Sequence, residues 1–141
     1  MTTSATPAYG TLLKMGDGAT PEVFSTVAEV QDIDLPEIKA QYEDATSHDS
    51  AGWEESIATI LSGGEPGFKV NWIPGGATHD ETTGVLAAAL NRTKKNWKIV
   101  LPNTAKTFAF AAYISFKGSA PVKGKLESEC KLKISGPVTV S

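Results

Sequence analysis

The sequence is poor in the side chains on which most active sites are built. A single cysteine, Cys130, among 141 residues excludes an internal disulfide and any multi-cysteine metal site. It alternates with Leu126, Leu132 and Ile134 and reads as a small buried hydrophobe. There are two histidines, His48 and His79, each followed by an aspartate, a pairing that metal-dependent phosphohydrolases use. Such sites need further ligands at fixed separations on rigid elements. Here His48-Asp49 lies in a polar stretch, and His79-Asp80 occupies positions that a helix cap explains. No metal or cofactor is expected. Gly16-Asp17-Gly18, Gly63-Gly64 and Gly75-Gly76 lack the strand-to-helix context and the lysine of a phosphate-binding loop, and no nucleophile elbow is present. No apolar run approaches the roughly 18 residues a membrane helix needs. Residues 1–10 have neither the basic start nor the apolar centre of a signal peptide, so the chain is expected to be made and used without secretion.

What is present is an ordinary globular composition, 40 % hydrophobic and 21 % charged, in a chain long enough for one domain with a real core. The net charge of −3 conceals a polarity. Through Glu65, twelve acidic residues face two lysines, a balance of −10; from Pro66 onward, four face eleven bases, a balance of +7. Either the halves neutralise each other within the fold, or an acidic surface on one copy meets a basic surface on the next, the head-to-tail contact that builds rings or filaments.

Hydrophobic periodicity predicts a mainly β protein with one α-helix. Residues 1–10 read as an arm and 11–15 as a short strand ended by Gly16-Asp17-Gly18. Alternation over 23–34 predicts one long strand closed by Leu35-Pro36. Residues 67–73 form a strand with Phe68, Val70 and Trp72 on one face. Thr78-His79-Asp80-Glu81 has the form of a capping box, with the Thr78 hydroxyl and the Glu81 carboxylate satisfying the first N–H groups of a helix that runs to about Asn91. Val85, Leu86, Ala89 and Leu90 make its apolar stripe, and Gly84 weakens it by roughly 1 kcal/mol relative to Ala. Three strands follow. Residues 96–101 carry Trp97, Ile99 and Leu101 inward; the lysines around Trp97 (Lys94, Lys95, Lys98) read as a solvated strand end rather than a nucleic-acid patch. Residues 106–117 are apolar on both faces, as a central strand would be. Residues 123–135 alternate cleanly, with a polar outer face bearing Glu127 and Glu129.

The long polar insert over about 37–65 fits none of these roles. It is too polar for a core, and nearly thirty residues is an unlikely passive loop in a compact domain. Within it, Trp53, Ile57, Ile60 and Leu61 recur at helical spacing, while 56–60 alternates weakly as a strand, so both remain open. With Tyr42, Asp44, His48, Asp49, Glu54 and Glu55 they form a segment suited to packing against something outside its own domain. That points to assembly rather than catalysis.

In order, Gly10-Thr-Leu-Leu-Lys14, the strand around 27–35 ending in Pro36, Asp44-Ala-Thr-Ser-His-Asp-Ser-Ala-Gly-Trp-Glu-Glu55 followed by Gly63-Gly64, and the closing Lys-Ile-Ser-Gly-Pro137 give a pattern over nearly the whole chain. It resembles the tail tube (major tail) proteins of long-tailed bacteriophages. The resemblance implies a β-sandwich or partly open barrel flanked by one helix. Six copies would form a ring, and rings would stack into a hollow tube that conducts DNA from capsid to host. The insert and the N-terminal arm would reach an adjacent ring. Tail tip, tape measure and terminator proteins would be partners, with DNA passing the lumen unbound. The extra C-terminal immunoglobulin-like domain that some relatives carry is not expected here. A lumen lined with carboxylates would let DNA slide; Glu29, Asp32 and Asp34, or alternatively Glu127 and Glu129, are the candidates. The competing classes are another structural β protein of a virion, such as a decoration or stabilising protein, and a small metal-dependent hydrolase.

Overall fold

The computed structural model of the protein describes residues 3–102 and 106–141; the first two residues of the N-terminal arm lie outside it. In chain order the elements are β1 (Leu12–Gly16), β2 (Phe24–Thr26), β3 (Val30–Ile33), β4 (Lys39–Asp44), β5 (Ser56–Ser62), β6 (Gly67–Asn71), α1 (Val85–Leu90), β7 (Lys95–Val100), β8 (Thr107–Ser119), β9 (Glu127–Ile134) and β10 (Thr139–Val140). The main sheet is antiparallel in the order β2-β1-β7-β8-β9-β6-β3, with β10 beside β8. The hairpin β4-β5 forms a separate two-stranded sheet.

Alternation gave the inner faces of β7, β8 and β9 correctly. Trp97, Ile99, Phe110, Ala112, Ile114, Cys130 and Leu132 are buried and pack with Leu13, Met15, Phe68 and Val70 in one core. Each large side chain taken fully from water contributes about 1.5–3 kcal/mol. β8 sits mid-sheet as expected, but only its Phe110-Ala112-Ile114 face is buried; the opposite face is half-buried at Ala109 and Ala111 and exposed from Tyr113 onward.

The predicted long strand over 23–34 is instead one segment bent at Ala28-Glu29, where Glu29 has φ 56°. Before the bend it pairs with β1; after it, with β6. Because β2 and β3 are the two edges of the main sheet, this single bent segment wraps the sheet round on itself. Among the described residues β1 and β3 do not pair, and a cleft of about 710 Å³ remains between residues 8–11 and 30–35. The result is a partly open barrel.

The helix also differs from its expected form. It begins at Val85 rather than after Thr78, and it lasts six residues. Its N-cap is Gly84, which has no side chain with which to cap. Asp80 serves the preceding turn, its Oδ1 accepting from the N–H groups of Thr83 (2.8 Å) and Gly84 (3.0 Å). The Thr83 amide first, then the Thr83 hydroxyl and the amide and hydroxyl of Thr82, hold the Asp80 carboxyl below the usual aspartate range. Glycine is required at 84 by close approach, since a Cβ there would collide with the backbone of His79 and Asp80. The buried helix face is Val85, Ala87 and Ala88, not the Val85-Leu86-Ala89-Leu90 stripe, and Leu90 is exposed. Small alanines let the short helix lie close to the sheet.

The residues read as a capping box therefore have other positions. The Thr78 hydroxyl accepts from the Ala28 N–H (3.1 Å). Buried His79 receives the Ile73 N–H at Nδ1 (3.0 Å), so Nε2 carries the proton and donates to the Ala28 carbonyl at 2.6 Å. Thr78 and His79 thus hold both polar groups of Ala28 at the bend that closes the barrel. Glu81 is exposed, and no capping bond involves it.

Candidate assembly surface

The insert resolves into a hairpin that stands off the barrel. Residues 53–61, left open between helix and strand, contribute a strand: β5 is exposed at all seven positions. It pairs with β4 through a bulge in which Thr59 and Ile60 oppose the single residue Gln41. Without the bulge, Ile57 and Ile60 would fall on opposite faces. With the extra residue they share one side, and Tyr42 and Leu61 share the other. Tyr42, Ile57, Ile60 and Leu61 are all more than half exposed. A two-stranded hairpin is marginal in water by itself, and this one exposes apolar side chains on both of its faces.

Its tip has internal order. The Thr46 hydroxyl accepts from the Glu55 N–H (2.8 Å), Ala45 N–H donates to the Glu55 carbonyl, and the buried Ser50 hydroxyl donates to the Glu55 carboxylate (2.9 Å). Asp44 accepts the Thr46 N–H, and its bonds with Thr46, side chain first, lower its pKa. Ala51 and Gly52 turn the chain with positive φ. The distinctive 44–55 motif therefore divides in two. Asp44, Thr46, Ser50 and Glu55 build the loop, while His48, Asp49, Trp53 and Glu54 face solvent, Trp53 at 77 % exposure.

The root is seated by Gly63, where a Cβ would stand 2.8 Å from Ile134 and 3.0 Å from Val138. Beside it, Ile134 N–H donates to Gly64 O and Leu132 N–H to Pro66 O. Ile38, Leu61, Pro137 and Val138 line an apolar groove of about 380 Å³ there. Neither the groove nor the tip bonding has a periodicity that sequence reading detects; Gly63-Gly64 was its one visible signal.

The carboxylates considered for a lumen prove to be neighbours. β3 and β9 flank β6, so Asp32, Asp34 and Glu129 border one cleft of about 240 Å³ together with Lys69 and Lys131. Lys117, Glu129 and Lys69 stand directly opposite one another across β8, β9 and β6. Lys133 approaches Glu65 at 3.8 Å. At the end of the same face the Glu29 carboxylate accepts from Asn71, whose Cα partner on β9 is Glu127. The two alternatives lie on one face, interleaved with lysines.

Burial raises the Cys130 thiol to about 11, as expected of an inert core cysteine. His48 lies on the exposed tip and His79 within the fold, and among the described residues no three potential metal ligands come together.

A partly open antiparallel barrel carrying an uncovered, apolar-sided hairpin has the form of a subunit suited to building something larger. The family model of the lambda phage tail tube protein matches residues 9–141, and the chain belongs to that family; it is a structural protein of the virion tail. Its fold is shared by a chain of the tail of an empty gene transfer agent particle refined with C6 symmetry, at 17 % identity and TM-score 0.77, covering 97 % of this chain and 99 % of that one. It is shared too by a chain in the sheath/tube terminator of an extracellular contractile injection system (15 % identity, TM-score 0.71, 100 % and 99 % covered). A chain in the tube-terminating cap of the anti-feeding prophage is a third likeness (15 %, TM-score 0.66, 100 % and 93 %). No curated protein matches by sequence. No helix is long and apolar enough to cross a membrane.

Proposed function

We propose that this protein polymerises as stacked hexameric rings into the hollow tube of a phage tail, through which DNA passes from capsid to host, and that it has no catalytic role. The observation that carries the reading is the β4-β5 hairpin: Tyr42, Trp53, Ile57, Ile60 and Leu61 are exposed on an element with no covering partner in the single subunit. A neighbouring ring supplies that cover. The C6 symmetry of the gene transfer agent tail supports six copies per ring. Tail tip, tape measure and terminator proteins are the further partners that family membership suggests; a terminator and a cap occur among the assemblies of similar fold.

The face holding Asp32, Asp34, Glu127 and Glu129 is proposed as the lumen wall. Its lysines Lys69, Lys117, Lys131 and Lys133 are interleaved with carboxylates, so no uninterrupted basic surface is offered to phosphate, and DNA moves past without adhering.

Replacing Trp53 by Ala removes an exposed side chain that contributes nothing to the core. The variant is expected to fold with an unchanged melting curve yet form no tubes under negative stain. Normal tubes from it would remove the hairpin tip from the interface.

A further inference from the structure

The hairpin tip presents Trp53 beside Asp49 and Glu54, so its acceptor on another copy should be basic and partly apolar. Strand β9 separates two features that fit this need. At its C-terminal end, Ile134 and Leu132 donate to Gly64 and Pro66, which places the hairpin root there. At its N-terminal end Glu127 pairs with Ser119, and the chain turns through 120–126. The two features stand at opposite ends of a strand about 25 Å long. Every residue of β5 is exposed, so the hairpin is not laid back over the barrel towards that turn.

The turn carries Val122, fully exposed at 101 %, then Lys123, Lys125 and half-exposed Leu126. Lys125 lies 3.6 Å from Glu127, while among the described residues no carboxylate pairs with Lys123. The other basic stretch, 92–98, is placed differently: Lys98 lies over the Phe24 ring at 4.1 Å, and Lys95 pairs with Ala112, which pairs with Ile134, so Arg92 and Lys94 lead into the sheet at the level of the hairpin root rather than at the end of β9 far from it. We infer that the Trp53 tip of one copy docks on the Val122-Lys123-Lys125 turn of a second copy stacked head to tail. Donor and acceptor sit at opposite ends of one subunit, so each docked copy leaves a free end of each kind and the contact repeats without closing along the axis. This inference rests on the tube reading and names the acceptor that reading leaves open.

Charge reversal tests it. Lys123→Glu/Lys125→Glu and Asp49→Lys/Glu54→Lys are made separately and together, with melting curves to establish folding, since all four positions are exposed. Each pair alone is expected to lower tube yield about tenfold at low salt by setting like charges face to face, while single rings persist; the combination restores tubes. Normal tubes from the Lys123→Glu/Lys125→Glu variant, or no restoration in the combination, would overturn the pairing. If Trp53→Ala abolishes tubes while the turn variant builds them, the acceptor is wrong and the hairpin reading survives; if both build them, the hairpin reading fails as well. A second measurement does not depend on yield. Tubes from a mixture of Glu54→Cys and Lys123→Cys chains should give an oxidative cross-linked dimer that neither chain gives alone, because native Cys130 is buried. Mixed tubes without that dimer would also overturn the docking.

Discussion

At the residue scale, the closure of the barrel depends on a pair of side chains that serve a bend far away in sequence. Ala28 offers an N–H to Thr78 and a carbonyl to His79, and the same imidazole receives Ile73 N–H. Replacing His79 by Ala leaves the Ala28 carbonyl and the Ile73 amide without partners and opens a void where the ring was fully buried. Each lost hydrogen bond costs about 0.5–1.5 kcal/mol and the emptied ring site adds to that, so His79→Ala is expected to destabilise the subunit by about 3 kcal/mol, measured by urea unfolding. An effect within about 0.5 kcal/mol, the range of ordinary surface substitutions, would mean that the bend holds without the imidazole. Thr78 and Glu81 show why this was hidden. A capping box and a long-range clamp use the same residue types, and sequence spacing sees only the local partner. Asp80 ties the turn before the helix through the Thr83 and Gly84 amides, and Gly84, which reads as a weak point inside a helix, marks where the helix starts.

Among the elements, legibility followed burial. β7, β8 and β9 each have one face against the core, so strict alternation revealed them, and Cys130 and Leu132 were placed on the correct side. The segment over 23–34 alternates as well, but alternation carries no record of the positive φ at Glu29 that folds it across the barrel opening. The insert stood out in the sequence as a segment outside the core but not as a hairpin, because β5 buries nothing in the subunit and no core face imposes a strict period on it. The same reasoning sets its dynamics. A two-stranded sheet held at one end by Gly63 and Ile134, with no third strand, opens at little cost. Amide hydrogen exchange over 43–61 is expected to be fast in the isolated subunit and slowed at least about tenfold in tubes; equal protection in both states would show that the hairpin gains no cover on assembly.

For the molecule as a whole, the balance of −10 and +7 between the two parts of the sequence has two destinations. Some of it is neutralised within the subunit, where Lys133 meets Glu65 and where Lys69 and Lys131 border one cleft with Asp32 and Asp34. Such exposed pairs contribute little to stability, typically about 0–1 kcal/mol. The hairpin is different. Between Lys39 and Ser62 it carries Glu43, Asp44, Asp49, Glu54 and Glu55 against one lysine, and Asp49 and Glu54 have no cation beside them at the tip. Their counterpart must come from another copy if charge contributes to stacking. Screening separates the cases, because the Debye length falls from about 10 Å at ~0.1 M salt to about 3 Å at ~1 M. Tubes held partly by the tip charges should shorten or dissociate into rings over that range, as read by sedimentation, while the subunit's melting temperature moves little because its core is apolar. Trp53, Ile57 and Ile60 gain no screening from salt, so the loss should be partial and should reverse on dilution. Tubes indifferent to salt across that interval would place the charge polarity inside the subunit and leave apolar contact alone to hold successive rings together.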